Sequence, residues 1–563
     1  MSLTIKYLDV PEGAQEAATV TGTGLQPFSE TASVVTGAPD TPWASIDFNG
    51  WPLDGSREIL PDDPKNIGWW SESPSVEAVE GFVLGEGILG KSRLGASMEG
   101  GFFDVPPVMV IDFSERFSAT GVTISFSDST QQWCSEIIVR WFRAGELLAE
   151  CHDLPDAPLW SCGGAVDSFD RITIELLRTN IPGQMARIQQ ITVGKTIVFG
   201  REKIVSAKIV NEVDHTLGTL SVDTSRFEVL APDGLALNPQ QNQRVVLERD
   251  GNMLATHYIQ ESTREVAGHY VLSCQSAIGM LEDEFLGGMY EKEPVDAVLT
   301  AILDGWQYEL DPIFTGSVIT GYIPVCTRRN ALQQVAFAIG ATVTTRGSNR
   351  IRLVSSTAAE TREFDAESVF PGAKLEKDQR VARYELTVHR YKKSSTVETL
   401  LEDETLDDDD ITDDSILVTF DDPHWDYNIA GGEIVESGVN WIRVKAAGAV
   451  AVTAKTFTHT TSVRVKTNPD ATHAERNNVV SVTDATLVNS SNAKSVLNRL
   501  FESGRYRHTM TFDAAISNQS AGDMAEVISP WGGKVLGVIT AMDSQLTQNG
   551  HTASVTIVGE EVT

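Results

Sequence analysis

The chain has 563 residues and a mass of 61.2 kDa, room for about three to five domains. With 41% hydrophobic and 22% charged residues it has an ordinary globular composition, which excludes a mostly disordered chain. Asp and Glu number 78 against 44 Lys and Arg, a formal charge of −34, which repels phosphate backbones and speaks against a dedicated nucleic-acid binder. The same charge suits a surface that DNA passes without sticking.

No apolar run approaches the ~20 residues of a membrane span, and the start, Met1-Ser2-Leu3-Thr4-Ile5-Lys6, carries no secretory h-region. The five cysteines (Cys134, Cys151, Cys162, Cys274, Cys326) are odd in number and scattered without CxxC spacing. This points to a reducing compartment and away from zinc or a disulfide framework. Cys151-His152 with Cys162 is a conceivable metal set, but buried thiols are the plainer reading.

Residues 1–45 are rich in Thr, Ser, Gly and Ala and read as a leader that orders only against neighbours. Residues 46–199 read as a β-sandwich. Val108-Met109-Val110-Ile111-Asp112-Phe113 is an apolar run; residues 122–127, 136–142 and 171–176 alternate with period two, and turns separate them. Residues 200–280 form a second β unit, with strands expected at 203–210, 218–223, 244–249 and 269–274. Asp250-Gly251-Asn252 is a hairpin signal.

Residues 281–365 change to a small α+β piece. Pro294 opens a helix running from Val295 to Leu303. Thr327 caps a second, from Arg329 to Ile339, that Gly340 ends. Its apolar residues Ala331, Leu332, Val335, Ala336 and Ile339 fall at helical spacing. Strands at 342–345 and 350–354 follow. Residues 366–395 return to β, 396–475 hold an acidic run and further strands, and 476–563 contain a helix at 493–505 and strands at 508–513, 534–540 and 552–558. The class is mainly β and multidomain.

Three features invite a chemical reading. Gly85-Glu86-Gly87-Ile88-Leu89-Gly90 matches GxGxxG, but no helix pattern follows, so a glycine-rich loop is expected and no cofactor. The acids of 407–414 lack the Gly and Glu positions of an EF-hand and read as a solvated loop. Trp51, Trp69 and Trp70, with Trp133 and Trp160, sit in the first β domain. Exposed aromatics there would stack on sugars, whereas core packing is the ordinary role of Trp. GxSxG, HExxH and P-loop motifs are absent from the sequence, and no catalytic or metal-binding residue is assigned.

Two stretches resemble known families. Gly50-Trp51-Pro52-Leu53-Asp54-Gly55-Ser56 and Asn66-Ile67-Gly68-Trp69-Trp70-Ser71, with Val110-Ile111-Asp112-Phe113, residues 119–124 and 186–194, resemble discoidin-like (F5/8 type C) sandwiches. Residues 200–365 with 470–563 look like the baseplate hub of phage tails and contractile injection systems. The residues that carry this are 273–290, Gly321-Tyr322-Ile323-Pro324 before Thr327-Arg328-Arg329-Asn330, then Ala521-Gly522-Asp523-Met524 and 533–540.

The hub resemblance implies two tube-like β-barrel domains. The first is expected at 200–280, and the second at 366–395 plus 476–563, with 396–475 inserted as a β module with an acidic loop. It also implies a homotrimer whose six barrels continue a six-fold tail tube. The expected partners are the tail tube protein, distal tail or baseplate proteins and the spike or tip, with DNA passing through unbound. The place is the virion tail, assembled in the host cytoplasm. The chain ends soon after the second barrel, so any lytic function is expected in a partner. The alternative is a host-surface carbohydrate-binding tail protein acting through the N-terminal sandwich. An enzyme is not expected, because no acid–base pair can be named.

Overall fold

The computed structural model describes residues 3–9, 11, 14, 17–23, 102, 106, 108–126, 131, 133–164, 166–181, 188–231, 237, 239–266, 268–355, 361–406, 411–412, 415–529, 532–547 and 550–562. It is mainly β, in several sheets, with a few short helices.

In chain order, β1 (Leu3–Asp9) comes first, and a two-sheet sandwich follows. The first sheet of the sandwich orders Ala18–Thr23, Val108–Ala119, Val166–Thr179, Cys134–Arg143 and Glu146–Asp153; the second orders Leu159–Cys162, Val122–Phe126 and Ile188–Val193. Period-two burial in Cys134–Arg143 and Val166–Thr179 turns Ile137, Val139, Trp141, Ile172, Ile174 and Leu176 onto one face. That face packs on Val122, Ile124 and Ile191 of the other sheet.

The chain then makes β2 (Lys195–Phe199), β3 (Ile204–Glu212), β4 (Thr224–Leu230), β5 (Arg244–Arg249), β6 (Asn252–Val266) and β7 (His269–Ser276). Asp250 and Gly251 at positive φ close the expected β5–β6 hairpin. Next come α1 (Val295–Ile302) and α2 (Arg328–Ile339). The Thr327 hydroxyl accepts from Asn330 N at 3.2 Å, and Gly340 ends α2 at φ 84°, the left-handed conformation that only glycine adopts cheaply. Both helices pack on the sheet of Tyr308–Leu310, Ala341–Thr344 and Ile351–Ser355.

Then follow β8 (Arg362–Phe364), β9 (Lys374–Lys377), the 23-residue β10 (Arg383–Thr405), its 27-residue antiparallel partner β11 (Trp441–Thr467), and α3 (Ala493–Ser503). Last come β12 (His508–Ala515), β13 (Met524–Ile528), β14 (Lys534–Thr547) and β15 (Gly550–Val562).

Thirteen of these strands form one sheet, in the order β2-β1-β5-β6-β7-β4-β3-β14-β15-β12-β9, with β13 on β14 and β8 on β13. The sheet holds two look-alike units. β2 to β7 recur as β8, β9, β12, β13, β14 and β15, in the same chain order and the same lateral order. The one addition is β1, which sits between β2 and β5. Strand directions agree: β8 runs parallel to β13, and β2 reaches the direction of β5 through two antiparallel steps.

The likeness extends to single residues. β6 bulges between Ile259 and Glu261, and β14 between Ile539 and Ala541. Ile259 bonds to the backbone of Asn242 and Gln243, and Ile539 to that of Gly522 and Asp523. Phe227 of β4 and Phe512 of β12 are both buried in the core of their own unit.

The structure departs from expectation in four places. Neither unit closes as a barrel: among the described residues β2 does not pair with β3, nor β8 with β9, so each unit folds over its own core as an open sheet. The first unit begins before residue 200, because Leu3–Asp9 and Lys195–Phe199 pair within it. The leader region therefore supplies a strand to each neighbour, and the sandwich is inserted between β1 and β2. Residues 383–395 pair with β11 rather than with the second unit, so the inserted module continues that ladder. The strand expected at 218–223 lies instead at 224–230, since Asp214 accepts from the backbone and hydroxyls of Thr216 and Thr219 and holds that stretch as a turn.

Candidate functional site

The feature with the most to say about function is the joint between the two units. β3, an edge of the first, pairs antiparallel with the second half of β14, from Ala207 opposite Leu546 to Glu212 opposite Ala541. β14 can serve both sides because its first half, 534–538, pairs with β13, and the bulge turns the rest outward. Leu546 is fully buried, and its contacts are in the core of the first unit. Lys208 Nζ lies 2.8 Å from Asp543 Oδ2 on the half-exposed face, a pair of small weight.

Two arginines fasten the joint from its flanks. Arg346 lies in the turn between Ala341–Thr344 and Ile351–Ser355. Its Nη2 donates to Asp223 Oδ1 at 2.9 Å and to the Glu212 carbonyl at 3.0 Å, and its Nη1 to the Ala521 carbonyl. It thus ties the middle domain, the first unit and the second unit together. Asp223 is 3% exposed, so the ion pair is buried, the situation in which losing one partner costs most. Arg249, at the end of β5, donates to His551 Nδ1 at 2.8 Å and to the Ser517 carbonyl across the joint. Burial, then the Arg249 charge, lowers the His551 pKa to about 4, so this imidazole is neutral and accepts. His257, which bonds Ser225 Oγ at 2.7 Å, is likewise lowered to about 4 by burial.

The residues singled out from sequence fall elsewhere. Trp51, Trp69 and Trp70, the GxGxxG segment, the two quoted segments of 50–71 and the acids 407–410 and 413–414 lie outside the described residues. Trp160 is buried with Nε1 on Asp153 Oδ2 at 2.9 Å, and Trp133 Nε1 reaches the Pro155 carbonyl at 3.3 Å; both are packing residues of the sandwich. Cys151 and Cys162 share a hydrogen bond, and burial raises both thiols. His152 sits on the opposite face with Glu136 Oε1 at 3.0 Å, as alternation in Glu146–Asp153 demands, so the three do not converge. Among the described residues no group of three or more His, Cys, Asp or Glu is gathered to hold a metal, and no helix is long and apolar enough to cross a membrane.

Sequence reasoning missed Arg346, Arg249, His551, Lys208 and Asp543. Their roles come from contacts between distant parts of the chain, and no local pattern marks them.

No protein-family model and no curated protein sequence matches the chain. Among solved structures it is similar to a tail protein from Neisseria meningitidis MC58, with 12% identity and a TM-score of 0.40, over 65% of this chain and 94% of that one. It is also similar to the 43 kDa tail protein of prophage MuSo2 from Shewanella oneidensis, with 9% identity and a TM-score of 0.38, over 64% and 95%. A third is prophage tail protein gp18 from Listeria monocytogenes EGD-e, with 9% identity and a TM-score of 0.37, over 64% and 91%.

Proposed function

We propose that this chain is a structural hub protein of a phage or phage-like tail, three copies of which form a ring at the distal end of the tail tube. The observation that carries the reading is the repeat. One chain holds two units of the same topology, set edge to edge in one continuous sheet. A protein that repeats its own fold side by side has a built-in lateral step, and a step repeated by rotation closes a ring. Three chains supply six units, which suits a six-fold tube above and a three-fold spike or tip below.

In this reading the sandwich between β1 and β2, discoidin-like by its sequence, sits on the periphery and contacts neighbouring baseplate proteins. The chain is a virion component assembled in the host cytoplasm, and its acidity keeps passing DNA from adhering. The role is architectural, not enzymatic.

The test is the mass and symmetry of the purified full chain, by mass photometry and electron micrographs. The expected result is a three-copy, three-fold ring with an open axis. A compact monomer at micromolar concentration overturns the reading.

A further inference from the structure

A cavity lies against the joint, on the side that Arg249 and Arg346 fasten. Its volume is about 380 Å³, within the range that holds a small ligand. Three parts of the chain wall it. The first unit gives Arg249, the middle domain gives Arg346 and Arg352, and the second unit gives Arg362, Asp523 and His551. In a chain of net charge −34, four guanidiniums around one cavity stand apart from the rest of the composition.

Their pairing leaves charge over. Arg362 Nε lies 3.6 Å from Asp523 Oδ2, and Arg346 is held by Asp223 behind the wall. Arg249 and Arg352 meet only neutral groups. Arg249 donates to His551 Nδ1 and the Ser517 carbonyl, and Arg352 Nη2 donates to the Arg346 carbonyl at 3.1 Å. Like charges gathered around one cavity repel, and a half-buried cation is costly without a counter-charge. Bonds to the carbonyls of 517 and 521 account for Arg249 and Arg346 as fasteners. They do not account for Arg352, whose partner is a carbonyl of its own hairpin.

Donors are in surplus as well. Nε of Arg346, Nε of Arg352 and Nε2 of His551 are buried with no acceptor among the described residues, whereas buried N–H groups are as a rule bonded. Burial, then the Arg249 charge, keeps His551 unprotonated. Its Nδ1 accepts from Arg249, so its Nε2 carries the hydrogen. What this wall lacks is a bearer of negative oxygens.

We propose that the cavity binds a small phosphate-class oxyanion carrying at least two negative charges, with Arg249 and Arg352 as its main ligands. Guanidinium forks grip such oxygens bidentately, and donors from three sides suit tetrahedral groups better than one planar carboxylate. The bound anion touches all three walls, so it fastens the joint and stabilises the folded chain by mass action. The site is complete within one chain and does not depend on the ring.

The probes are pyrophosphate, a nucleoside triphosphate and citrate, each added to the full chain at fixed ionic strength. Calorimetric titration is expected to show one saturable pyrophosphate site per chain, with citrate weaker, and pyrophosphate is expected to raise the unfolding temperature. A triphosphate that binds more tightly than pyrophosphate supports the class and makes the source a nucleotide; one that binds more weakly supports it and makes the source a free anion. Arg249→Gln and Arg352→Gln should each weaken binding at least about tenfold, while Arg143→Gln, in the sandwich, leaves it unchanged. No saturable binding up to about 5 mM, or equal weakening by Arg143→Gln, overturns the site. Citrate held as tightly as pyrophosphate overturns the phosphate class.

A measurement on the unmodified chain covers the case of a variant that fails to fold. Phenylglyoxal labels arginine side chains, and mass spectrometry reads each position. Pyrophosphate is expected to slow labelling of Arg249 and Arg352 at least about threefold, and not that of Arg143. Equal rates with and without pyrophosphate overturn the proposal.

Discussion

At the same point of the sheet the two units make opposite choices. Where the first sets His257 across from Ser276, the second sets Gly537 across from Gly559. A Cβ on Gly537 would come within 2.3 Å of the Val558 carbonyl oxygen, and one on Gly559 within 2.2 Å of that of Leu536, so the second unit has its strands too close there for any side chain. The first keeps the space and fills it with a buried imidazole bonded to Ser225. One topology is thus held by close backbone approach in one unit and by a satisfied polar group in the other. What the repeat preserves is strand order, bulge and the phenylalanine at 227 and 512; the filling between them is free to differ, as expected when pattern and volume, not identity, specify a core.

The largest expected effect comes from that shared phenylalanine. Phe227→Ala and Phe512→Ala should each cost about 3–5 kcal/mol, with hydrogen-exchange protection lost mainly in the unit that carries the change. If either substitution exposes both units equally, they are one cooperative body and the comparison loses its meaning.

Arg346→Met comes next. It strands the buried Asp223 carboxylate, so a loss of about 3 kcal/mol in denaturant unfolding is expected. Much of that loss should return in the double variant with Asp223→Asn, because no uncompensated charge then remains.

Acid should separate the units. His257 has a folded pKa of about 4, below its ordinary value of about 6.5. The unfolded chain therefore binds the proton first, and the stability present above pH 6.5 drains away as pH falls towards 4. This amounts to about 3 kcal/mol for His257, and less for the half-buried His551. The first unit and the joint should melt earlier at pH 4.5 than at pH 7.5, with the core of the second unit less affected; His257→Gln should flatten the pH dependence. Parallel loss in both units would contradict the contrast drawn from His257 and Gly537.

The smallest effect is Lys208→Gln, expected to cost no more than about 0.5 kcal/mol, since the pair with Asp543 is half exposed. A larger loss in thermal unfolding would mean that the joint depends on charge as well as on its strand ladder and Leu546.

Local signals were readable in the sequence wherever a short stretch decides its own conformation. The Thr327 cap, the apolar spacing of α2 and Gly340 placed that helix almost to the residue, and Asp250-Gly251 placed a hairpin. The β stretch read at 366–395 covers only the first part of β10, because farther on most of the strand is exposed and the alternation that marks a half-buried strand disappears. From sequence β1 reads as part of a leader, because its partners are Lys195–Phe199 and Arg244–Arg249, far along the chain. The joint was illegible for the same reason: Lys208 and Asp543, or Arg346 and Ala521, become neighbours only once both units exist. The hub resemblance implies two related units, whereas their open edges and their register appear only in the strand pairing.

Asp9 and Lys195 are direct cross-strand partners at the ends of β1 and β2. The whole sandwich therefore leaves and re-enters the sheet through a gap that a two-residue turn could span. A segment mounted that way can be lengthened, replaced by another fold or removed without shifting a ladder of the thirteen-stranded sheet. The mount thus works as a socket: the sandwich is exchangeable as a unit while the strands of the sheet keep their spacing.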